Sequence, residues 1–210
     1  MEITHGVFML KASPQGHVFL IRGKENILVD TGLPGAGKKI LAELASMGVE
    51  PGTVKKILLT HHDVDHIGNL KLLAEATGAR IFAPAEDIPF MTGARRRPGI
   101  KRLVGAFIRP GVPGGIIPYG QEIPEGIRVI PAPGHTPGHV ILLVQNMLFA
   151  GDLIRTMKGA PAPMADFMNW DSALAAKSIS LLKTLDFDWI CPAHGNPMQK
   201  SALREFLKDY

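Results

Sequence analysis

The sequence predicts an α+β fold made of two similar β-rich halves that face each other, and three observations carry that reading. Apolar runs of strand length alternate with segments of helical spacing along most of the chain. The order hairpin strand, acid, helix, strand, histidine occurs twice, marked first by Asp30 and His61 and then by Asp152 and His194. Finally, 46% hydrophobic against 20% charged residues, with 23 Gly and 17 Pro, describes a globular chain rich in turns and excludes disorder. At 210 residues the chain reads as one domain, 1–210. A cleft between the strand ends of the two halves would gather the acids and histidines.

Taken in order, residues 17–30 read as two apolar strands around a Gly-Lys-Glu-Asn turn. Ile40, Leu41, Leu44 and Met47 recur at helical spacing before Gly48, which predicts a helix over about 35–47. Ile57, Leu58, Leu59 and Thr60 make a buried strand, and Ile67, Leu70, Leu73 and Ala74 the next helix. A strand follows at 80–83. Residues 84–119 then lose periodicity and gain Pro, Gly and Arg, and so irregular a stretch reads as a lid. Within it Ile100, Leu103, Val104, Phe107 and Ile108 keep helical spacing beside Lys101, Arg102 and Arg109. Strands return at 127–130, 139–144 and 147–150, the last two joined by a tight hairpin at Gln145 and Asn146. A helix over about 171–185, a strand at 189–191 and a terminal helix ending near Lys208 complete the reading.

The first residues lack a basic stretch followed by an apolar core, so no secretory signal is expected. No apolar run approaches the ~20 residues that span a bilayer. A single cysteine, Cys191, precludes an intrachain disulfide, and the expected compartment is the cytoplasm. The formal charge of +4 is small, with much of it in Arg95, Arg96, Arg97, Lys101, Arg102 and Arg109. That segment carries one aromatic residue, Phe107, so a nucleic-acid surface is disfavoured and a small-molecule substrate with an anionic part is expected. Nothing in the sequence specifies an oligomeric state.

The chemistry concentrates in His61-x-Asp63-x-Asp65-His66, four potential ligands within six residues directly after a buried strand. Burying such groups together costs several kcal/mol unless a cation satisfies them. A divalent metal is the simplest answer, because imidazole and carboxylate suit zinc, iron and manganese. His135 sits in a Gly-Pro turn, Asp152 ends a strand after Gly151, and His194 ends another before Gly195. Glycine beside each of them fits side chains converging close to backbone.

These residues resemble the metallo-β-lactamase-fold hydrolases, including the glyoxalase II-like and lactonase-like members. Their signature is a His-x-His-x-Asp-His loop, then Gly-His, Gly-Asp and a late Gly-His or Ala-His. The resemblance runs from Asp30-Thr31-Gly32 to His194-Gly195 and implies a four-layer αββα sandwich with the metal site at the strand ends between the halves. It implies two divalent ions, zinc first, with iron or manganese as alternatives. One would be held by His61, Asp63 and His135, the other by Asp65, His66 and His194, with Asp152 and a hydroxide bridging them. Asp63 departs from the family's histidine and makes its position harder and more anionic, a shift toward iron or manganese.

The implied reaction is hydrolysis of an ester, thioester or lactone, with the metals acidifying a water and polarising the carbonyl. Asp65 would orient the nucleophile and take up a proton, and Asp152 would hold both ions. The alternatives are a di-iron oxidoreductase of the same fold, since some relatives carry a carboxylate at the position of Asp63, and a phosphodiesterase or nuclease. Arg155 and Lys158, just after Asp152, are candidates for binding a substrate anion. Asp30 either supports the site by hydrogen bonding or fixes a turn. His139 takes a structural role or one behind the ligands. His62 faces solvent or the back of the site if the loop is extended, and His5 and His17 read as ordinary residues.

Overall fold

The computed structural model describes residues 1–96, 111–122 and 125–210. Among them, the first sheet has seven strands in sequential order: β1 (Glu2–Thr4), β2 (Val7–Met9), β3 (Phe19–Ile21), β4 (Asn26–Val29), β5 (Val54–Leu58), β6 (Arg80–Ala83) and β7 (Ile116–Pro118). The pairings from β1 to β4 are antiparallel and those from β4 to β7 parallel. The second sheet holds β8 (Ile127–Pro131), β9 (Val140–Val144), β10 (Met147–Gly151), β13 (Trp189–Pro192) and β14 (Met198–Gln199), in the order β14-β13-β10-β9-β8. Between β10 and β13 lies a two-stranded ribbon, β11 (Ile154–Met157) with β12 (Ala160–Pro163).

Alternation along the strands builds three cores from these two sheets, because successive side chains leave a strand on opposite faces. Phe19, Val29, Leu58 and Phe82 of the first sheet meet Ile127, Leu142, Phe149 and Cys191 of the second, all buried. On the outer face of the first sheet, Leu20, Leu28, Ile57 and Ile81 pack on Ile40, Leu44, Leu70 and Leu73, which belong to α1 (Gly37–Ser46) and α3 (Leu70–Thr77). On the outer face of the second, Ile141, Leu148 and Ile190 cover Ile179 and Leu182, with Ile179 on α5 (Ser172–Ser180). Helix, sheet, sheet, helix is the four-layer sandwich expected.

Several elements differ from the sequence reading. β1 and β2 were not foreseen, since three residues are too few to show a period. The helix expected from Ile67 is two: α2 (Val64–Ile67) and α3, broken at Gly68 and Asn69. Gly68 lies so close to the Asp30–Pro34 turn that an added Cβ would sit 2.4 Å from Pro34 N. Asn69 Nδ2 donates to Thr31 O and Leu33 O while its Oδ1 accepts from Gly37 N. Asp65 and His66 therefore ride on a helical turn, while Asp63 just before it is extended. The helix expected to 185 ends at Ser180 and tightens into a 3₁₀ turn, Leu181–Lys183. The expected terminal helix is two 3₁₀ turns, Lys200–Leu203 and Phe206–Asp209, which place Leu203 and Leu207 in the core. The β11–β12 ribbon escaped notice because Pro161 and Pro163 argue against a sheet interior, and an isolated ribbon is where they are tolerated.

Within the irregular segment 84–119, a short helix α4 (Ile88–Met91) and edge strand β7 are formed. The positions read as the face of a lid, Ile100, Lys101, Arg102, Leu103, Val104, Phe107, Ile108 and Arg109, lie outside the described residues, as does Arg97.

Phe149 is fully buried between the sheets, with its ring 5.3 Å from that of Phe19 in an edge-on arrangement. Phe149→Ala should lower unfolding stability by about 3–5 kcal/mol in urea denaturation. Phe167→Ala, at a side chain 69% exposed, should stay within about 0.5 kcal/mol.

Candidate metal centre

The parallel strands deliver the ionisable side chains at their carboxyl ends, where ligand sites of open parallel sheets form. Asp30 follows β4, His61 follows β5, Asp152 follows β10 and His194 follows β13. The turn between β8 and β9 adds His135. Two clusters result among the described residues: His61, Asp63, His135 and Asp152, all buried, and Asp65, His66 and His194. Within each cluster the potential ligand atoms lie within 4.8 Å of one another. All seven residues read from the sequence as ligands are brought together.

Asp152 stands between the clusters. Its Oδ2 is 3.2 Å from His135 Nε2 and 3.9 Å from His61 Nε2, while its Oδ1 is 3.2 Å from His194 Nε2 and 3.3 Å from His66 Nε2. Asp63 heads α2 without capping it, and its Oδ2 instead lies 3.0 Å from His135 Nε2 and 3.6 Å from His61 Nε2. Asp65 Oδ2 is 3.3 Å from His194 Nε2 and 3.9 Å from His66 Nε2.

The rings are aimed from behind. His66 Nδ1 lies 2.8 Å from Asp30 Oδ2, His61 Nδ1 3.0 Å from Thr60 Oγ1, and His135 Nδ1 3.1 Å from Asn169 Oδ1. Thr60 donates its hydroxyl to Asp30 Oδ2 and its backbone N–H to Asp30 Oδ1, which leaves the Thr60 oxygen to accept from His61. With acceptors behind all three, Nδ1 carries a hydrogen and Nε2 is the nitrogen turned toward the centre. His139 acts one step further back: its Nδ1 faces Ala132 O at 3.2 Å, and its Nε2 accepts the backbone N–H of Asp152 at 3.1 Å. Gly151 has φ +50°, and a Cβ there would meet His139 Nε2 at 2.7 Å and Thr60 Oγ1 at 2.8 Å. Only glycine permits both that backbone and that approach.

Electrostatics match the geometry. Burial opposes charge on His135 and His194, yet the Asp152 carboxylate outweighs it and raises them to about 9 and about 10. His66 is likewise raised against burial, by Asp30, Asp152 and Asp65. Asp152 is held well below the carboxylate range although burial resists, because His66, His194 and His135 surround it. His61 is pushed down by burial and by the charge of His66, and His139 by burial and His135 to about 3.

Asp30 is thus a partner of the site and not a turn former alone, and His139 lies behind the two clusters. His62 is buried and does not face solvent: its ring stacks on Phe90 with centroids 4.7 Å apart. Arg155 is on β11 with Nε donating to Pro163 O, and Lys158 sits at the exposed ribbon turn. His17 is buried, with Nδ1 3.1 Å from Ser13 O, and His5 is exposed. Thr60, Asn169 and Asp87 were missed. Thr60 and Asn169 carry no motif of their own, although Thr60 directly precedes the ligand run.

The chain has relatives among known proteins. The chain is 27% identical to "Probable metallo-hydrolase YflN" of Bacillus subtilis over 97% of its own length and 85% of that protein's. It is 35% identical to a hydroxyacylglutathione hydrolase of Rhodobacter capsulatus, over 56% of this chain and 43% of that enzyme. The crystal structure of TTHA1623 in a di-iron-bound form superposes with a TM-score of 0.71 at 25% identity, covering 94% of this chain and 96% of the other. The sequence profile of the Metallo-beta-lactamase superfamily matches residues 14–194. That span takes in both clusters and most of the chain, which therefore belongs to the metallo-beta-lactamase superfamily.

Proposed function

We propose that the protein is a binuclear metal-dependent hydrolase of a small thioester, ester or lactone. The observation that carries this reading is the orientation of Asp152, with one oxygen toward each cluster. The chemistry of the donors supports two cations: His61 Nε2, His66 Nε2 and Asp152 Oδ1 are buried and have no hydrogen-bond partner among the described residues. Buried polar atoms left without a well-aligned hydrogen bond are costly, and a cation among them would satisfy them by taking the place of the imidazole protons.

His61, Asp63 and His135 would hold one ion and Asp65, His66 and His194 the other, with Asp152 shared. Two divalent ions so held supply Lewis acidity toward a carbonyl oxygen and make a water acidic enough to act as nucleophile at neutral pH. Asp30, Thr60 and Asn169 keep the imidazoles in one tautomer and orientation. Asp65, with its side chain 22% exposed, sits where the centre meets solvent and is placed to accept a proton. Thioesters lead among the substrates because the hydroxyacylglutathione hydrolases are among the relatives. Among the described residues, Arg155 and Lys158 on the ribbon after Asp152, and Arg95 over the Phe90 ring at 5.7 Å, are candidates to meet a substrate anion. Residues 1–210 act as one domain in this reading, because a core shared by both sheets leaves neither half independent. No helix among the described residues is long and apolar enough to cross a membrane. The cytoplasm remains the proposed compartment, on the strength of a single buried cysteine.

The deciding experiment loads purified protein with metal, counts metals per chain, and compares hydrolysis of thioesters, esters, lactones and phosphodiesters. Acyl hydrolysis that a chelator abolishes and added metal restores is expected. A protein with two metals that cleaves only phosphodiesters overturns the reading. Asp152→Ala should lose metal and at least about 100-fold in kcat/KM together, the loss typical of residues one step farther from a metal. Two metals retained in that variant would refute the shared position.

Asp63→His should move preference toward zinc in competition with iron, because imidazole is softer and uncharged. An unchanged ratio would mean that Asp63 does not touch metal.

The histidine shifts also set a pH dependence. An unfolded histidine titrates near 6.5, whereas His135 and His194 titrate near 9 and 10 in the metal-free fold. Raised values mean that their stabilisation is complete below 6.5 and is lost as pH climbs through 9 and 10. His61 and His139, held neutral, act only below 6.5 and leave that window untouched. The urea midpoint of metal-free protein should fall from pH 6.5 to 10, and saturating metal, which displaces these protons, should flatten the slope. Equal slopes with and without metal would contradict it.

A further inference from the structure

One fully buried carboxylate is used by neither cluster. Asp87 immediately precedes α4, where an aspartate ordinarily caps the helix's own first N–H groups. It makes no such bond. Its Oδ1 accepts the backbone N–H of Gly138 at 2.8 Å, and its Oδ2 accepts the Thr136 hydroxyl at 2.7 Å and the His62 backbone N–H at 3.0 Å. His62 Nδ1 lies 2.8 Å from the same Oδ2. An added Cβ on Gly138 would sit 2.8 Å from Asp87 Oδ1, so the turn reaches the carboxylate only because that residue is glycine. Phe90, on α4, closes the other face of the His62 ring.

These donors belong to two segments and to two sheets. His62 lies in the run His61 to His66 after β5, while Thr136 and Gly138 lie in the turn that carries His135 before β9. Only the first cluster is assembled across these two segments, from His61 and Asp63 on one side and His135 on the other. The second takes Asp65 and His66 from the first segment, but its remaining member, His194, follows β13, which Asp87 does not touch. A buried carboxylate with three hydrogen bonds and an adjacent imidazole is a stiff link, because breaking any contact leaves a buried polar group unpaired.

We propose that Asp87 is a positioning residue that sets the distance between His61/Asp63 and His135, and through it the metal affinity of the first cluster alone. The proposal rests on the two-cation reading of the clusters and not on the reaction assigned to them. Loss of activity toward thioesters would therefore leave it standing.

The test reads metal binding in the full chain. His194→Ala leaves the first cluster intact and His135→Ala the second, so each background isolates one position. Asp87→Asn keeps the shape but turns an NH₂ group toward donors, so at least one of the hydrogen bonds that tie the two segments to this side chain is lost. Zinc titration of metal-free protein by calorimetry should show Asp87→Asn weakening binding about 10- to 100-fold in the His194→Ala background. In the His135→Ala background it should change binding by no more than about twofold, as for independent sites. Equal weakening in both backgrounds, or none in the first, overturns the proposal and makes Asp87 a fold residue only. If Asp87→Asn does not fold by circular dichroism, Thr136→Val decides. It removes one donor, and should weaken zinc in the His194→Ala background only, with Thr136→Ser restoring it. No selective loss in Thr136→Val overturns the proposal equally.

Discussion

The structure turns on the burial of Asp152 among imidazoles at the junction of the two sheets. A carboxylate 2% exposed cannot be stabilised by solvent, so its partners must come from the protein. They come from everywhere in the chain: His61 and His66 from the first sheet's loops, His135 from the turn before β9, and His194 from the end of β13. No local segment could supply this set. The requirement that one carboxylate meet four imidazoles therefore fixes how the two sheets are docked, and the apolar core between them fills around that register.

Rigid supports make the convergence possible. The functional side chains leave from strand ends and short turns whose backbones are fixed by the ladders of β5, β10 and β13. The Nδ1 atoms of His66, His61 and His135 are then set by a carboxylate, a hydroxyl and an amide. Asp30 has φ +59°, a left-handed conformation unusual outside glycine. The two hydrogen bonds from Thr60 and the contact with His66 hold it there. Strain at such a position persists only where the surroundings over-determine it.

Most of the fold and the clustering of the seven acids and histidines were legible in the sequence, for identifiable reasons. Most strands of the inter-sheet core, such as β3, β9 and β10, are apolar runs, and the clustered acids and histidines combine residue type with a spacing that bland structure rarely produces. What stayed hidden depends on contacts between distant segments. Asn169 lies 34 residues from His135 and Asp87 lies 49 from Thr136, separations at which nothing in the chain advertises a pairing. The β11–β12 ribbon was hidden by its prolines and the terminal 3₁₀ turns by their brevity. The division of the helix at Gly68 was hidden because the space that forbids a side chain there belongs to a different turn.

The two clusters are not equivalent, and the difference is physical. Side chains of the first are 0 to 9% exposed, while His194 and Asp65 of the second are 27% and 22% exposed. Charge in the first cluster therefore sits in a lower effective dielectric, where both attraction between opposite charges and the cost of an unmatched one are larger. Two carboxylates, Asp63 and Asp152, share that dry position with His61, which burial keeps neutral, and His135, the one imidazole there raised to about 9. The second cluster shares its load with water. Small displacements are thus costlier in the first, where no solvent can fill in for a partner that moves. Both clusters draw members from opposite sheets, so the geometry of each depends on the docking of the sandwich itself. A second carboxylate in place of an imidazole adds attraction for a cation at the position that water screens least, and raises the cost of leaving that position without one.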